Sequence, residues 1–211
     1  MKNLITALLL IFLFSCSGQK NNNTINPKAN SAQSNLTETE SNIVNEFLGS
    51  ELKKDRYKNY KDYEVFLIEE AVKKTKSIYA YEYTYKNFYK REREREYWIL
   101  DSVQIKRLKS DLETEKQYYW KISDFKNTKV SLYKYQELRT IIKTGAYVNL
   151  PKRLIIFLSK PLIINESTAL ISFDIGNGTL GNNEITHFTV LMKKNEKKWI
   201  AKDYFEDGAF Q

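Results

Sequence analysis

Side chains able to do chemistry on their own are few in this chain. It holds one histidine, His187, and one cysteine, Cys16, in 211 residues. A zinc site would need His187 together with several carboxylates, because no second imidazole or thiol exists to complete the usual ligand sets. Asp174, Asn177, Asn182, Asn183 and Glu184 cluster in sequence, but their spacing fits no calcium loop, so neither a metal nor another cofactor is expected. The run Gly176-Asn177-Gly178-Thr179-Leu180-Gly181 has the letters of a dinucleotide-binding turn. Such a turn must open a helix whose N-terminus faces the pyrophosphate, whereas Glu184-Ile185-Thr186-His187-Phe188-Thr189-Val190 is β-branched and aromatic and predicts a strand. The glycines and asparagines are then those of a hairpin loop, where positive φ is needed. Alternation places His187 on one strand face with Ile185 and Leu191, the setting of a structural histidine, and no G-x-S-x-G turn supplies a nucleophile for it. Carboxylates are plentiful, yet no pair stands out as the acid and base of a glycosidase, and no catalytic residue is assigned. The best binding candidate is aromatic. Tyr79, Tyr81, Tyr83 and Tyr85 alternate strictly, and on a strand they would share one face able to stack sugars or bases. A half-buried sheet face beneath a helix accounts for the same pattern.

The elements that would carry these residues follow from periodicity. Thr37 and Glu40 have the form of a capping box, and Ile43, Val44, Phe47, Leu48 and Leu52 recur at helical spacing, which predicts a helix over 38–54. The basic run Lys53, Lys54, Arg56, Lys58 and Lys61, with its interleaved tyrosines, ends it. Val65-Phe66-Leu67-Ile68 suits a buried strand or a helix running on through Val72, and we read 63–72 as a helix. Residues 77–85 are expected to form a strand, paired with 95–100 across a connection at 89–94 into a Tyr-rich hairpin. The run Arg91 to Glu96 would set opposite charges at i,i+3 but like charges at i,i+4 on a helix, so it reads as a solvated face. Asp101 with Gln104 opens a helix to about Lys116, whose stripe Ile105, Leu108, Leu112 and Tyr119 predicts a core seam. A short strand at 130–133 precedes a helix marked by Leu138, Ile141 and Ile142 and stopped by Gly145. Four strands follow, at 154–158, 169–175, 185–192 and 199–204, as an antiparallel meander. Helices and a hairpin first, a four-stranded sheet afterwards, predict the α+β class.

Length and charge bound the rest. Residues 37–211 are expected to form a single α+β domain, and a chain of this size buries roughly 70% of its unfolded surface without help from disulfides or metal. The formal net charge of +8 suits anionic partners, but the basic residues are spread over most of the chain and no recognition motif accompanies them, so no nucleic-acid role is expected.

Lys2 and the apolar run 4–14, broken only by Thr6, have the layout of a secretory signal peptide. The run is too short for a membrane span, which takes about 20 residues. Leu13-Phe14-Ser15-Cys16 resembles the lipobox of bacterial lipoproteins, with an aliphatic residue three before the cysteine and a small one just before it. The resemblance implies cleavage between Ser15 and Cys16 and acyl chains on Cys16, which would bind the protein to a membrane. One chain binds marginally, and two or three hold stably. In the Gram-negative lipoproteins it resembles, a residue other than Asp after the cysteine, here Ser17, implies release to the outer membrane. Gln19-Lys20 is similar to a surface-export tag, but Asn21, Asn22 and Asn23 stand where acidic residues belong, so the periplasmic and surface sides both stay open. Residues 16–36 are almost without large apolar side chains and read as a disordered tether with a reach of roughly 25 Å. Ser159-Lys160-Pro161, the following Ala169-Leu170 strand and Lys198-Trp199 resemble small uncharacterised envelope lipoproteins, a likeness that implies no particular activity. The expected function is binding, without catalysis, by a lipid-anchored envelope protein. Two alternatives are an immunity or inhibitor protein against an envelope-acting toxin and a hydrolase of envelope glycans or peptides.

Overall fold

The computed structural model describes residues 35–89, 91 and 98–206. The expected signal peptide, Ser15, Cys16 and the expected tether up to residue 34 lie outside the described residues, as does most of the Arg91 to Glu96 run. Helix α1 spans Glu38–Glu51 and starts as its capping box requires: Glu40 N–H donates to Thr37 Oγ1 at 3.2 Å and Thr37 N–H to Glu40 Oε2 at 2.9 Å. Its buried stripe is Ile43, Val44, Phe47 and Leu48. A 3-10 turn at Asp55–Tyr60 then leads to strand β1, Glu64–Ile68. Helix α2 is Lys74–Phe88, and helix α3 is Ser102–Asp111, opened by the Asp101–Gln104 capping box. Strand β2, Ser131–Tyr133, precedes helix α4, Tyr135–Thr144, which Gly145 ends at φ 70°, the left-handed conformation of a glycine C-cap. Five strands close the chain: β3 Arg153–Leu158, β4 Leu162–Asn165, β5 Thr168–Asn177, β6 Asn183–Asn195 and β7 Lys198–Phe205.

All seven strands join one mixed sheet in the order β2-β1-β3-β5-β6-β7, with β4 also paired to β5. Strand β1 runs parallel to β2 and β3, and the other pairs are antiparallel. The expected meander is therefore only part of the sheet. Strands β3, β5, β6 and β7 are antiparallel neighbours in that order, but β4 continues the β3 edge beyond Pro161, and β1 and β2 extend the sheet from the N-terminal half. The two faces are covered by different helices. On one, α1 and the segment bearing Trp120 and Phe125 pack on Ile156, Ile171, Phe173 and Val190. On the other, α2 and α3 cover Leu170, Leu191 and Phe205, while Leu138 of α4 seats on Ile68 and Ile155.

Three expectations are corrected. Residues 63–72 are not a helix: Val65-Phe66-Leu67-Ile68 lies between β2 and β3 with Leu67 and Ile68 buried on opposite faces, which a short apolar run cannot announce by periodicity. Residues 77–85 are not a strand but the body of α2, so no Tyr-rich hairpin exists there. Of its expected partner, 98–100 carries no strand and 95–97 lies outside the described residues. The helix expected to reach Lys116 ends at Asp111, where Leu112 caps it and turns into the core.

Two glycines predict opposite stability changes. A Cβ on Gly49, inside α1, meets nothing within 4 Å, so Gly49→Ala should stabilise by about 0.5–1 kcal/mol. Gly145→Ala, at φ 70°, should cost about 1 kcal/mol. Denaturant midpoints at unchanged m-value check both signs.

Candidate functional site

The tyrosine face dissolves in the structure. A helix returns to the same side every three or four residues, so Tyr81 and Tyr85 line up with Tyr89, while Tyr79 and Tyr83 fall elsewhere. Tyr85 stacks on Tyr89 with centroids 4.5 Å apart, and Trp98 meets Tyr81, Tyr85 and Tyr89 edge-on at 6.2, 5.6 and 5.7 Å. Tyr81 is fully buried; its hydroxyl accepts from Leu100 N–H at 3.0 Å and donates to Leu100 C=O at 3.3 Å. Burial pushes that hydroxyl up to about 12. It is a clip holding the chain before α3 against α2. Tyr79 is 55% exposed and lies 4.3 Å from the Lys109 ammonium. The four tyrosines therefore share no face and form no platform. The signal of the true arrangement was present in Ile78, Tyr81 and Tyr85, spaced by three and four.

The densest charged group was not singled out by sequence. Glu51, the last residue of α1, is fully buried. Tyr57 and Tyr204 donate hydroxyl hydrogen bonds to its two oxygens at 3.2 and 2.7 Å. Lys54 Nζ lies 2.8 Å away and Arg56 Nε 3.9 Å away. Lys54 also bonds the Tyr204 hydroxyl. Arg56 donates to Thr186 Oγ1 at 3.0 Å and lies over the Phe188 and Tyr204 rings. Lys54, Arg56 and Tyr57 belong to the basic run after α1, and the 3-10 turn swings all three toward the Glu51 carboxylate, where Thr186 and Phe188 of β6 and Tyr204 of β7 meet them. With both oxygens engaged and no exposed surface, Glu51 presents nothing to a substrate. The arrangement is a clamp.

His187 lies on β6 with Nε2 3.2 Å from Glu184 Oε1. Its side chain is mostly buried, as expected of a structural histidine, but its neighbours differ from those alternation implied. A bulge between Ile175 and Gly176 leaves Ile185 as an extra residue, so Ile185 packs with the α1-side core while Leu191 packs under α2. Beside this row, the sheet carries a ladder of buried hydroxyls. Ser77 Oγ lies 2.7 Å from Ser172 Oγ, which lies 2.6 Å from Thr189 Oγ1, and Ser172 N–H donates to Ser159 Oγ at 2.8 Å. These hydroxyls satisfy one another where α2 crosses β5 and β6.

The glycine-rich loop connects β5 to β6, with Gly181 and Asn182 at φ 70° and 69°. No helix follows it, and β6 begins at Asn183. Gly178 lies directly against Arg153, which is 1% exposed and whose Nε and Nη2 find no hydrogen-bond partner among the described residues. An open polar cleft of about 360 Å³ lies at the start of α1, lined by Thr37, Ser41, Lys121, Asp124 and Lys126. Among the described residues no group of His, Cys, Asp or Glu side chains is placed to hold a metal, and no helix is long and apolar enough to cross a membrane.

Glu51→Gln should destabilise the fold by about 1–3 kcal/mol, because an amide in the buried Glu51 position cannot accept all the hydrogen bonds that Tyr57, Tyr204 and Lys54 donate there. Burial first, and then contact with Glu51, raises the Tyr57 and Tyr204 hydroxyls above their ordinary value of 10.0. Their folded pKa values exceed the unfolded ones, so the stability they confer is complete below pH 10 and is lost as pH rises toward the folded values. Replacing both by Phe should flatten the fall in urea midpoint between pH 9 and 11; an unchanged slope would contradict the clamp. Compared with family models, curated proteins and solved structures, the chain has no match.

Proposed function

We propose that this chain is a lipid-anchored protein of the Gram-negative envelope that acts by binding, without catalysis of its own. The observation that carries the reading is the lone cysteine, Cys16, set directly after the apolar run 4–14 in a Leu13-Phe14-Ser15-Cys16 lipobox-like sequence. Acylation would consume the chain's one thiol and fix its address. Among the described residues the first element is α1, opened by the Thr37 cap, and the residues between Cys16 and α1 would supply the tether that spaces it from the bilayer. Binding is favoured over hydrolysis by the state of the side chains. Glu51 is fully buried with both oxygens bonded by Tyr57, Tyr204 and Lys54, and the hydroxyls of Ser77, Ser172 and Thr189 are fully buried and bonded to one another.

Globomycin should accumulate the unprocessed precursor, and Cys16→Ala should move the protein out of the Triton-extractable membrane fraction. Processing and fractionation unchanged by both would overturn the anchor. Crosslinking of the acylated protein in its own membranes, followed by affinity capture, tests the binding role.

A further inference from the structure

Arg153 opens β3 almost wholly out of solvent. A guanidinium remains charged wherever the protein is folded, so its buried donors need acceptors. Nη1 donates to the Pro151 carbonyl at 2.7 Å. Nε and Nη2 donate to nothing among the described residues. Those two N–H groups share one edge of the guanidinium, the edge that grips two oxygens of a carboxylate or phosphate side by side. The loop after β5 lies on that side of the chain: a Cβ at Gly178 would stand 3.1 Å from Nε and 2.8 Å from Cγ, so only glycine lets the backbone approach this closely. The same loop holds two more buried polar atoms without partners, Thr179 Oγ1 and Asn182 Oδ1. Four such atoms, two on Arg153 and two on the loop after β5, make this part of the fold a local hydrogen-bond deficit. Glu64, the register partner of Arg153 on β1, is exposed and does not reach the two nitrogens.

We infer that Arg153 and the loop 178–182 form an enclosed binding site for a small tetrahedral oxyanion of the phosphate class. The guanidinium edge takes two oxygens, the Thr179 hydroxyl donates to a third, and a protonated fourth donates to Asn182 Oδ1. Because these atoms have no contact with solvent, room for the ion opens only when the loop moves, and a site under the loop suits a free ion better than a lipid headgroup. The loop must lift to admit the ion, and Gly178 and Gly181 are its least restrained positions.

Thermal melting of the full chain in inorganic phosphate, against chloride at equal ionic strength, tests the site. Phosphate at ten times its dissociation constant should raise the melting temperature by about 3–5 °C. Arg153→Lys, which keeps the charge but lacks the two-nitrogen edge, should lose the response, Thr179→Val should weaken it, and Glu64→Gln should leave it intact. Phosphorus-31 line broadening of phosphate by the wild-type chain decides the matter if Arg153→Lys fails to fold. A melting temperature no higher in phosphate than in chloride, or a sharp, unshifted phosphate resonance, overturns the proposal. So does a response that survives Arg153→Lys, or a Glu64→Gln loss of stability matching that of Arg153→Lys with no phosphate effect.

Discussion

Strand β5 is covered on both faces, and the arrangement of the other elements follows from that constraint. All of Thr168–Asn177 is buried except Asp174, with Ala169, Ile171, Phe173 and Ile175 facing α1 and Leu170 and Ser172 facing α2. Full burial of each large apolar side chain contributes about 1.5–3 kcal/mol, so both faces must be covered by helices. A strand so placed also has to pair along both edges, because its backbone groups have no water to turn to. Strands β3 and β4 fill one edge in succession and β6 fills the other. Ser172 is a polar residue buried in the middle of this run, and the hydroxyls of Ser77, Ser159 and Thr189 are the consequence.

The Glu51 clamp is the second device that positions whole elements. A carboxylate taken out of water is tolerated only when it is hydrogen-bonded and its charge is matched; Tyr57, Tyr204 and Lys54 bond Glu51, and the Arg56 guanidinium adds a nearby positive charge. The clamp ties the C-terminal end of α1 to the β6–β7 edge, while the Thr37 capping box fixes the opposite end. Tyr81 does the same at shorter range by holding both backbone groups of Leu100. Arg153 departs from this rule. Its guanidinium is as buried as Glu51, yet the three N–H donors on Nε and Nη2, of five in all, are unused, and the loop pressed against it carries unused polar atoms of its own.

Local signals were legible where chemistry acts over a few residues. The capping boxes at Thr37 and Asp101, the glycine stop at 145 and four of the five strands from Arg153 onward emerge at the expected places, since each depends on neighbours in sequence, whereas β4 formed where a connection was expected. The glycine-rich turn was legible for the same reason: β-branched residues after it cannot open a helix. Val65-Phe66-Leu67-Ile68 and the tyrosines of 79–85 misled because their patterns fit two periods. Tyrosine at every second position looks like a strand, but the packing of Ile78 and Tyr81 on Leu170 and Leu191 selects the helix.

By itself the sequence determined the caps, the positive-φ turns, the antiparallel neighbours at the C-terminal end and the lipobox resemblance at Leu13 to Cys16, because these depend on residues a few positions apart. Only the tertiary structure decided that β1 and β2 join the sheet in parallel, that Ile185 is a bulge residue turned away from His187, and that Glu51 gathers Lys54, Arg56, Tyr57 and Tyr204. It alone also set Arg153 beneath the glycine-rich loop. Burial and pairing between distant segments fix these features, and a residue does not show in its own neighbourhood how deeply the rest of the chain will enclose it.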